Sequence, residues 1–287
     1  MRGRLPLLTV FFALALAATG GALAGGLDDI QALTGDMDRL RQASGQMPLA
    51  EEREIGRGMA ERLMGASPPV HDARVQRYVN RVGLWVAEGS QRPHLAWTFG
   101  VLDTPAVNAF AAPGGYVFIT RGLFLLLNDE GELAVVLGHE IAHVTARHHL
   151  QALAQDARVG ITADLVGNAI HGHLDHGQLE QMWRAGARLY AIGLKRRDEF
   201  DADRIGVALA ARAGYDPWTF MDTLTTLEAV HPDAPAMALQ SKTHPSPEER
   251  RARLLGQLDQ DFGKGEPGAR PETRFDEMRD RLSARGR

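Results

Sequence analysis

The sequence predicts a mainly α-helical chain carrying one small antiparallel β-sheet, an α+β arrangement. Two observations carry that prediction. Apolar residues recur at three- and four-residue spacing over most of the chain, the period of an amphipathic helix. Only between about Trp97 and Thr120 does the pattern change, to short β-rich runs punctuated by Pro105 and by Pro113-Gly114-Gly115. With 287 residues, 44% hydrophobic and 24% charged, the chain can bury a sizeable core and has ordinary globular composition. A formal net charge of −4 leaves no basic excess to suggest nucleic acid as a partner. The absence of cysteine excludes a disulfide scaffold, a thiolate metal site and a cysteine nucleophile.

The elements follow in order. Arg2 and Arg4 precede an apolar run from Leu5 to Ala18, broken only by Thr9, and Ala22-Leu23-Ala24 supplies a small-x-small cleavage pattern. Residues 1–24 therefore read as a secretory signal peptide, too short for the roughly 20 apolar residues a membrane span needs. No cysteine follows the cut to carry a lipid anchor, and no later segment is apolar and long enough to span a bilayer. The expected location is the periplasm. In residues 25–48, Ile30, Leu33, Met37 and Leu40 mark a helical extension. A second helix covers Leu49 to Met64, Pro68-Pro69 breaks the chain, and Val75, Tyr78, Val79, Val82, Trp85 and Val86 trace a third. Trp97–Val101 and Tyr116–Ile119 read as strands. Pro113-Gly114-Gly115 marks either an edge strand open to an extended peptide or a plain hairpin turn.

Asp129 with Glu132 makes a capping-box start for a helix running to about His149. One long helical pattern then extends from about Leu179 to Ala213 and stops at Gly214. Asp216-Pro217 caps the next helix, and Ser246-Pro247-Glu248-Glu249 opens a last one. The main domain is placed at 49–258, and 259–287 reads as a charged, flexible tail. No internal repeat and no tetratricopeptide-like array is legible.

The chemistry lies on two of these helices. His139-Glu140-Ile141-Ala142-His143 is an HExxH pattern. Residues four apart on a helix lie about 40° apart around its axis, so both imidazoles can share one metal ion. Zinc in such sites takes three protein ligands and lowers the pKa of a bound water to about 7. Glu140 can then act as general base for attack on a peptide carbonyl. The competing reading is a structural zinc site, in which the motif only clamps two helices. Glu140 argues against it, because such a site needs no carboxylate there.

A third ligand is required. Ala146 stands where the HExxHxxGxxH arrangement needs glycine, so His149 does not complete that pattern. Glu199, in Asp198-Glu199-Phe200-Asp201-Ala202-Asp203, is the better candidate. Glu199 and Asp203 are four apart, so one can bind metal while the other holds a histidine N–H. The alternative is a solvated charge run behind Lys195-Arg196-Arg197.

HEIAH, then Glu199-x-x-x-Asp203, then Ala213-Gly214-Tyr215-Asp216-Pro217, resembles the zinc metallopeptidase family of bacterial HtpX and the CAAX prenyl endopeptidases, its soluble periplasmic members most of all. Asn108 to Val117 and Thr243-His244-Pro245-Ser246-Pro247-Glu248-Glu249-Arg250 resemble two further stretches of that family, and the likeness covers roughly Leu49 to Leu255. It implies a gluzincin-type architecture, with an active-site helix and a second ligand-bearing helix. It further implies one Zn2+ per chain held by His139, His143 and Glu199, with Glu140 as catalytic base and Asp203 as supporting carboxylate or proton donor. Asp201 replaces the glutamate usual in the second motif, a departure between the functional positions. His244 is implied at the site, either occupying the water position in a latent state or stabilising the oxyanion.

The activity so implied is zinc-dependent endoproteolysis of misfolded or unassembled envelope proteins, with peripheral contact to outer-membrane machinery as the implied partnership. Relatives that dock there do so through repeats that are not legible here. The rival from another class is a chaperone-like binder of unfolded envelope proteins that keeps the zinc fold. Two other histidine groups stand out. His171, His173 and His176 form a tempting second metal tract on a loop, while His148 and His149 read as exposed helix-end residues.

Overall fold

The computed structural model describes residues 47–155, 160–262 and 268–285. The expected signal peptide and the seam of Ile30, Leu33, Met37 and Leu40 lie outside the described residues.

Helix α1 (Leu49–Ala66) ends before the proline pair, and α2 (Ala73–Glu88) begins where the Asp72 carboxylate accepts the backbone N–H groups of Arg74 and Val75. Its apolar stripe of Val75, Tyr78, Val79, Val82 and Val86 is buried against the sheet and the central helix. Three strands follow: β1 (Thr98–Leu102), β2 (Ala109–Ala112) and β3 (Tyr116–Thr120), in the order β1-β3-β2. The expected small sheet is present, but it is mixed rather than antiparallel. β1 runs parallel to β3, with Thr98 opposite Tyr116, and β2 runs antiparallel, with Ala112 opposite Tyr116. The antiparallel partner of β3 is Ala-Phe-Ala-Ala, which lacks the β-branched residues that mark strands, so sequence pattern reveals only the two strands that run parallel. Pro113-Gly114-Gly115 is the hairpin turn, and β2, ahead of it, is the edge strand.

Helix α3 (Arg121–Leu126) follows β3 directly, and α4 (Glu130–Thr145) starts at Asp129, whose Oδ1 accepts the Glu132 N–H at 2.8 Å. Glu132 turns its own carboxylate to Asn128, so only half of the expected capping box forms. Every residue of α4 from Glu130 to Val144 is buried. The helix stops short of His149. Arg147 takes a left-handed conformation at φ 57°, and a separate helix α5 (His148–Gln155) begins there. Helix α6 (Ala163–His171) leads into α7 (His176–Ile192) and α8 (Arg196–Arg212). These last two replace the single long helix expected from Leu179 to Ala213. The break is at Gly193 (φ 80°), where a Cβ would meet the Thr243 carbonyl oxygen at 2.4 Å. Apolar spacing continues through both pieces, so periodicity does not reveal the break.

Helices α9 (Thr219–Ala229), α10 (Ala238–Thr243) and α11 (Pro247–Asp261) follow, the last opened by Ser246 as expected. The stretch read as a flexible tail carries a further helix, α12 (Thr273–Arg285). Phe275, Met278 and Leu282 of α12 are buried, and the Phe275 ring stacks on Phe124 at 4.9 Å between centroids. Its Arg274 pairs with the buried Glu130 at the start of α4. Three apolar residues on one stripe suffice to dock this helix, and its overall charge hides them in a composition reading.

The contact that positions the site is the crossing of α4 with α8. A Cβ at Gly138 would lie 2.6 Å from the Gly206 carbonyl oxygen, and one at Gly206 would lie 2.6 Å from the His139 nitrogen. Glycine on both sides lets the backbones touch, which brings the acidic first turns of α8 over the histidines of α4.

Candidate metal centre

His139 and His143 project from one face of α4, and Glu199 and Asp203 descend from α8. The two imidazole Nε2 atoms approach to 3.0 Å. Glu199 lies 3.6 Å from His139 Nε2 through one carboxylate oxygen and 3.7 Å from His143 Nε2 through the other. Donors about 2 Å from a tetrahedral ion lie roughly 3.3 Å from one another, so this triangle has the dimensions of a metal site. Among the described residues, His139, His143 and Glu199 form the one group of three whose candidate donor atoms all lie within 4.8 Å of each other.

The chemistry of the donors also fits a cation. His139 Nδ1 donates to Asp203 Oδ1 at 2.8 Å, which leaves its Nε2 toward Glu199. Glu199 Oε2 is buried and has no hydrogen-bond partner. Burial disfavours charge on His139, yet the carboxylates of Asp203 and Glu199 outweigh it and push its pKa up to about 9. The site demands positive charge, and in the protein alone a proton on His139 answers that demand. Burial lowers His143 well below the ordinary histidine range, keeping its imidazole neutral, as a ligand must be.

Asp203 is itself held. Burial would raise its pKa, but the buried Arg250 of α11 keeps it down at about 2, donating from Nε to Oδ2 at 3.0 Å and from Nη2 to Oδ1 at 2.6 Å. Arg250 stands within the Thr243–Arg250 stretch, but an arginine in a charged segment carries no sequence signal of burial. Glu140 faces the cleft from α4, and burial, the largest influence on it, pushes its carboxyl up to about 7.

His244 follows α10 with its Nε2 3.5 Å from Glu199 Oε2, so every residue expected at the site is brought there. His148 and His149 are buried beside His143 rather than exposed at a helix end, because the turn at Arg147 folds α5 back onto α4. His171, His173 and His176 are exposed and contribute to no group of three donors.

Two adjoining hollows of about 380 and 360 Å³ share Asn108, Ala109, Glu140 and His244. The edge strand β2 forms one wall, and Tyr190 of α7 donates from its hydroxyl to the Ala111 carbonyl at 2.7 Å.

A family model described as Peptidase family M48 matches residues 73–257, the span that holds the sheet, the crossing helices and all these residues. The chain belongs to peptidase family M48. It is 28% identical over 227 residues to the beta-barrel assembly-enhancing protease of Escherichia coli (strain K12), covering 76% of this chain and 46% of that one. The protein of the same description in Yersinia pestis is 28% identical over 251 residues, 84% of this chain and 50% of that one. The mitochondrial metalloendopeptidase OMA1 of Schizosaccharomyces pombe is 31% identical over 184 residues, 62% and 51% of the two chains. The M48 chain thus spans about half the length of these curated relatives. Among its described residues, no helix is long and apolar enough to cross a membrane.

Proposed function

We propose that this M48 chain is a periplasmic zinc metalloendopeptidase that hydrolyses misfolded or unassembled cell-envelope proteins, with His139, His143 and Glu199 as ligands of one Zn2+. The observation that carries the reading is the convergence of these three donors beside Glu140, in a cleft walled by an open strand edge. Two imidazoles and one carboxylate form a donor set that suits zinc and leaves room for a fourth partner. Bound there, the ion supplies a Lewis acid that acidifies water and polarises a carbonyl.

The remaining work falls to the chain. Glu140, pushed up to about 7, takes the proton from the attacking water and can return it to the leaving amine. Its carboxylate fraction falls as pH drops below about 7, and proteolysis is expected to fall with it. Asp203, backed by Arg250, holds the His139 tautomer that presents Nε2. An extended substrate lies along the edge strand β2, whose Ala109 and Phe110 line the cleft.

His244 has a tautomer set by its neighbour. The Thr243 hydroxyl donates to the Leu239 carbonyl at 2.8 Å, so its oxygen accepts from His244 Nδ1 at 2.9 Å. That leaves a lone pair on His244 Nε2, and burial lowers its pKa to about 4, keeping it neutral. A lone pair toward the site supports the latent-state role over oxyanion stabilisation, which needs a donor. The substrate class, the secretion signal in residues 1–24 and contact with outer-membrane machinery rest on the relatives' names and on sequence pattern.

The test is cleavage of an unfolded outer-membrane protein by the zinc-loaded chain beside its Glu140→Gln variant. The variant is expected to lose about 100-fold or more in rate with one zinc still bound. Equal cutting by both would overturn the assignment of Glu140. No cutting by either, with zinc bound, would favour the chaperone-like binder.

A further inference from the structure

His143 has a partner that no carboxylate supplies. Its Nδ1 lies 3.0 Å from His148 Nδ1, and both rings are buried, meeting edge-on with centroids 5.1 Å apart. On a continuous helix, five residues advance the side chain by about 500°, which places it some 140° away from the first. His148 meets His143 only because the helix breaks. Arg147 sits in the left-handed region at φ 57°, a conformation uncommon for residues other than glycine. Its guanidinium is tied to the fully buried Glu52 of α1 at 3.0 Å. Glu52 also takes both terminal nitrogens of Arg92 and the N–H of Gly114 in the β2–β3 turn. The break is therefore clamped from a distant helix, and it turns His148 back onto the site.

We propose that His148 is the positioning residue of the second ligand histidine: its bare Nδ1 accepts the Nδ1–H of His143 and so holds the tautomer whose Nε2 faces Glu199. The inference rests on the reading of His143 as a metal ligand. Two nitrogens 3.0 Å apart share one hydrogen. With the hydrogen on His143, its Nε2 keeps a lone pair for the ion, and His148 carries its own proton on Nε2. With the hydrogen on His148, the Nε2 of His143 carries a proton and cannot ligate. An imidazole partner permits both arrangements, and loading the site selects the first. A ligating histidine commonly relies on such an outer partner, whose loss costs 10- to 100-fold in metal affinity.

The probe is zinc, measured by competition with a chromophoric chelator on the full chain and on His148→Asn and His148→Phe. Asparagine puts an amide oxygen near the place of Nδ1, whereas phenylalanine keeps the ring volume and accepts nothing. The expected result is a loss of about 10- to 100-fold in the phenylalanine variant, with affinity largely rescued by asparagine. In the zinc-loaded wild-type chain, 15N resonances of labelled histidine should show a protonated Nδ1 on His143. If the phenylalanine variant does not fold, that resonance decides alone. A bare Nδ1, a phenylalanine variant of native affinity, or equal loss in both variants would overturn the proposal. Wild-type chain that takes up no zinc would overturn the metal-ligand reading, and this inference with it.

Discussion

On one side of the metal centre, His139 is locked by Asp203 from α8 and Arg250 from α11; on the other, His143 meets His148 at the start of α5. The first arrangement is ionic and one-directional, since an ionised carboxylate only accepts and a guanidinium only donates. The second is neutral and reversible, because an imidazole does either. The ionic side draws positive charge into the site, while the neutral side adds none beside His143, which burial keeps neutral. One histidine of the candidate site is thus held at the cost of desolvating an ion pair, and the other by bending a helix.

The strongest way to break this contrast is to remove the lock. Arg250→Ala leaves Asp203 charged and buried, so unfolding stability in denaturant should fall by about 3–5 kcal/mol. Replacing both members, as Arg250→Met with Asp203→Leu, should recover most of that stability. Zinc affinity should nevertheless stay about 10- to 100-fold low, because His139 has lost its acceptor. Recovery of both would mean that the pair only fills space.

Gly206→Ala attacks the crossing that brings the two sides together. Its Cβ would lie 2.6 Å from the His139 nitrogen, so α4 and α8 must separate, with an expected loss of about 1–3 kcal/mol in thermal or denaturant unfolding. Zinc binding should weaken with it.

Acid titration of zinc binding sharpens the difference between the two histidines. His139, at about 9, is protonated at neutral pH, and the ion must displace that proton. Affinity should rise about tenfold per pH unit up to roughly pH 9, with one proton released per zinc in calorimetry across buffers of different ionisation enthalpy. His143, already neutral, should contribute none. The smallest effect belongs to His244→Ala. With the lone pair removed from the front of the site, proteolysis should rise several-fold while zinc stoichiometry stays at one; an unchanged rate would remove His244 from the site's function.

Much of this site is legible from residue order. HExxH is a local pattern, and the i,i+4 spacing of Glu199 and Asp203 is another, so both could be placed on helices before any tertiary contact was known. Other features were not. His148 reads as a solvent-facing residue under the assumption of one straight helix to about His149, and the left-handed turn that overturns this lies at an arginine rather than at a glycine. Strand β2 lacks β-branched residues, and α12 hides Phe275, Met278 and Leu282 among charges.

Residue order is enough to tell which residues can ligate and which can accept a proton, because spacing along a helix converts directly into a shared face. It also sets several helix starts, since Asp72, Asp129 and Ser246 cap their own first turns. The tertiary structure alone decided what holds those residues. The glycine-to-glycine crossing brings Asp203 to His139, the docking of α11 brings Arg250 to Asp203, and the Glu52 clamp on Arg147 brings His148 to His143. Each depends on burial and on chain segments far apart in sequence, and neither propensity nor periodicity carries that information.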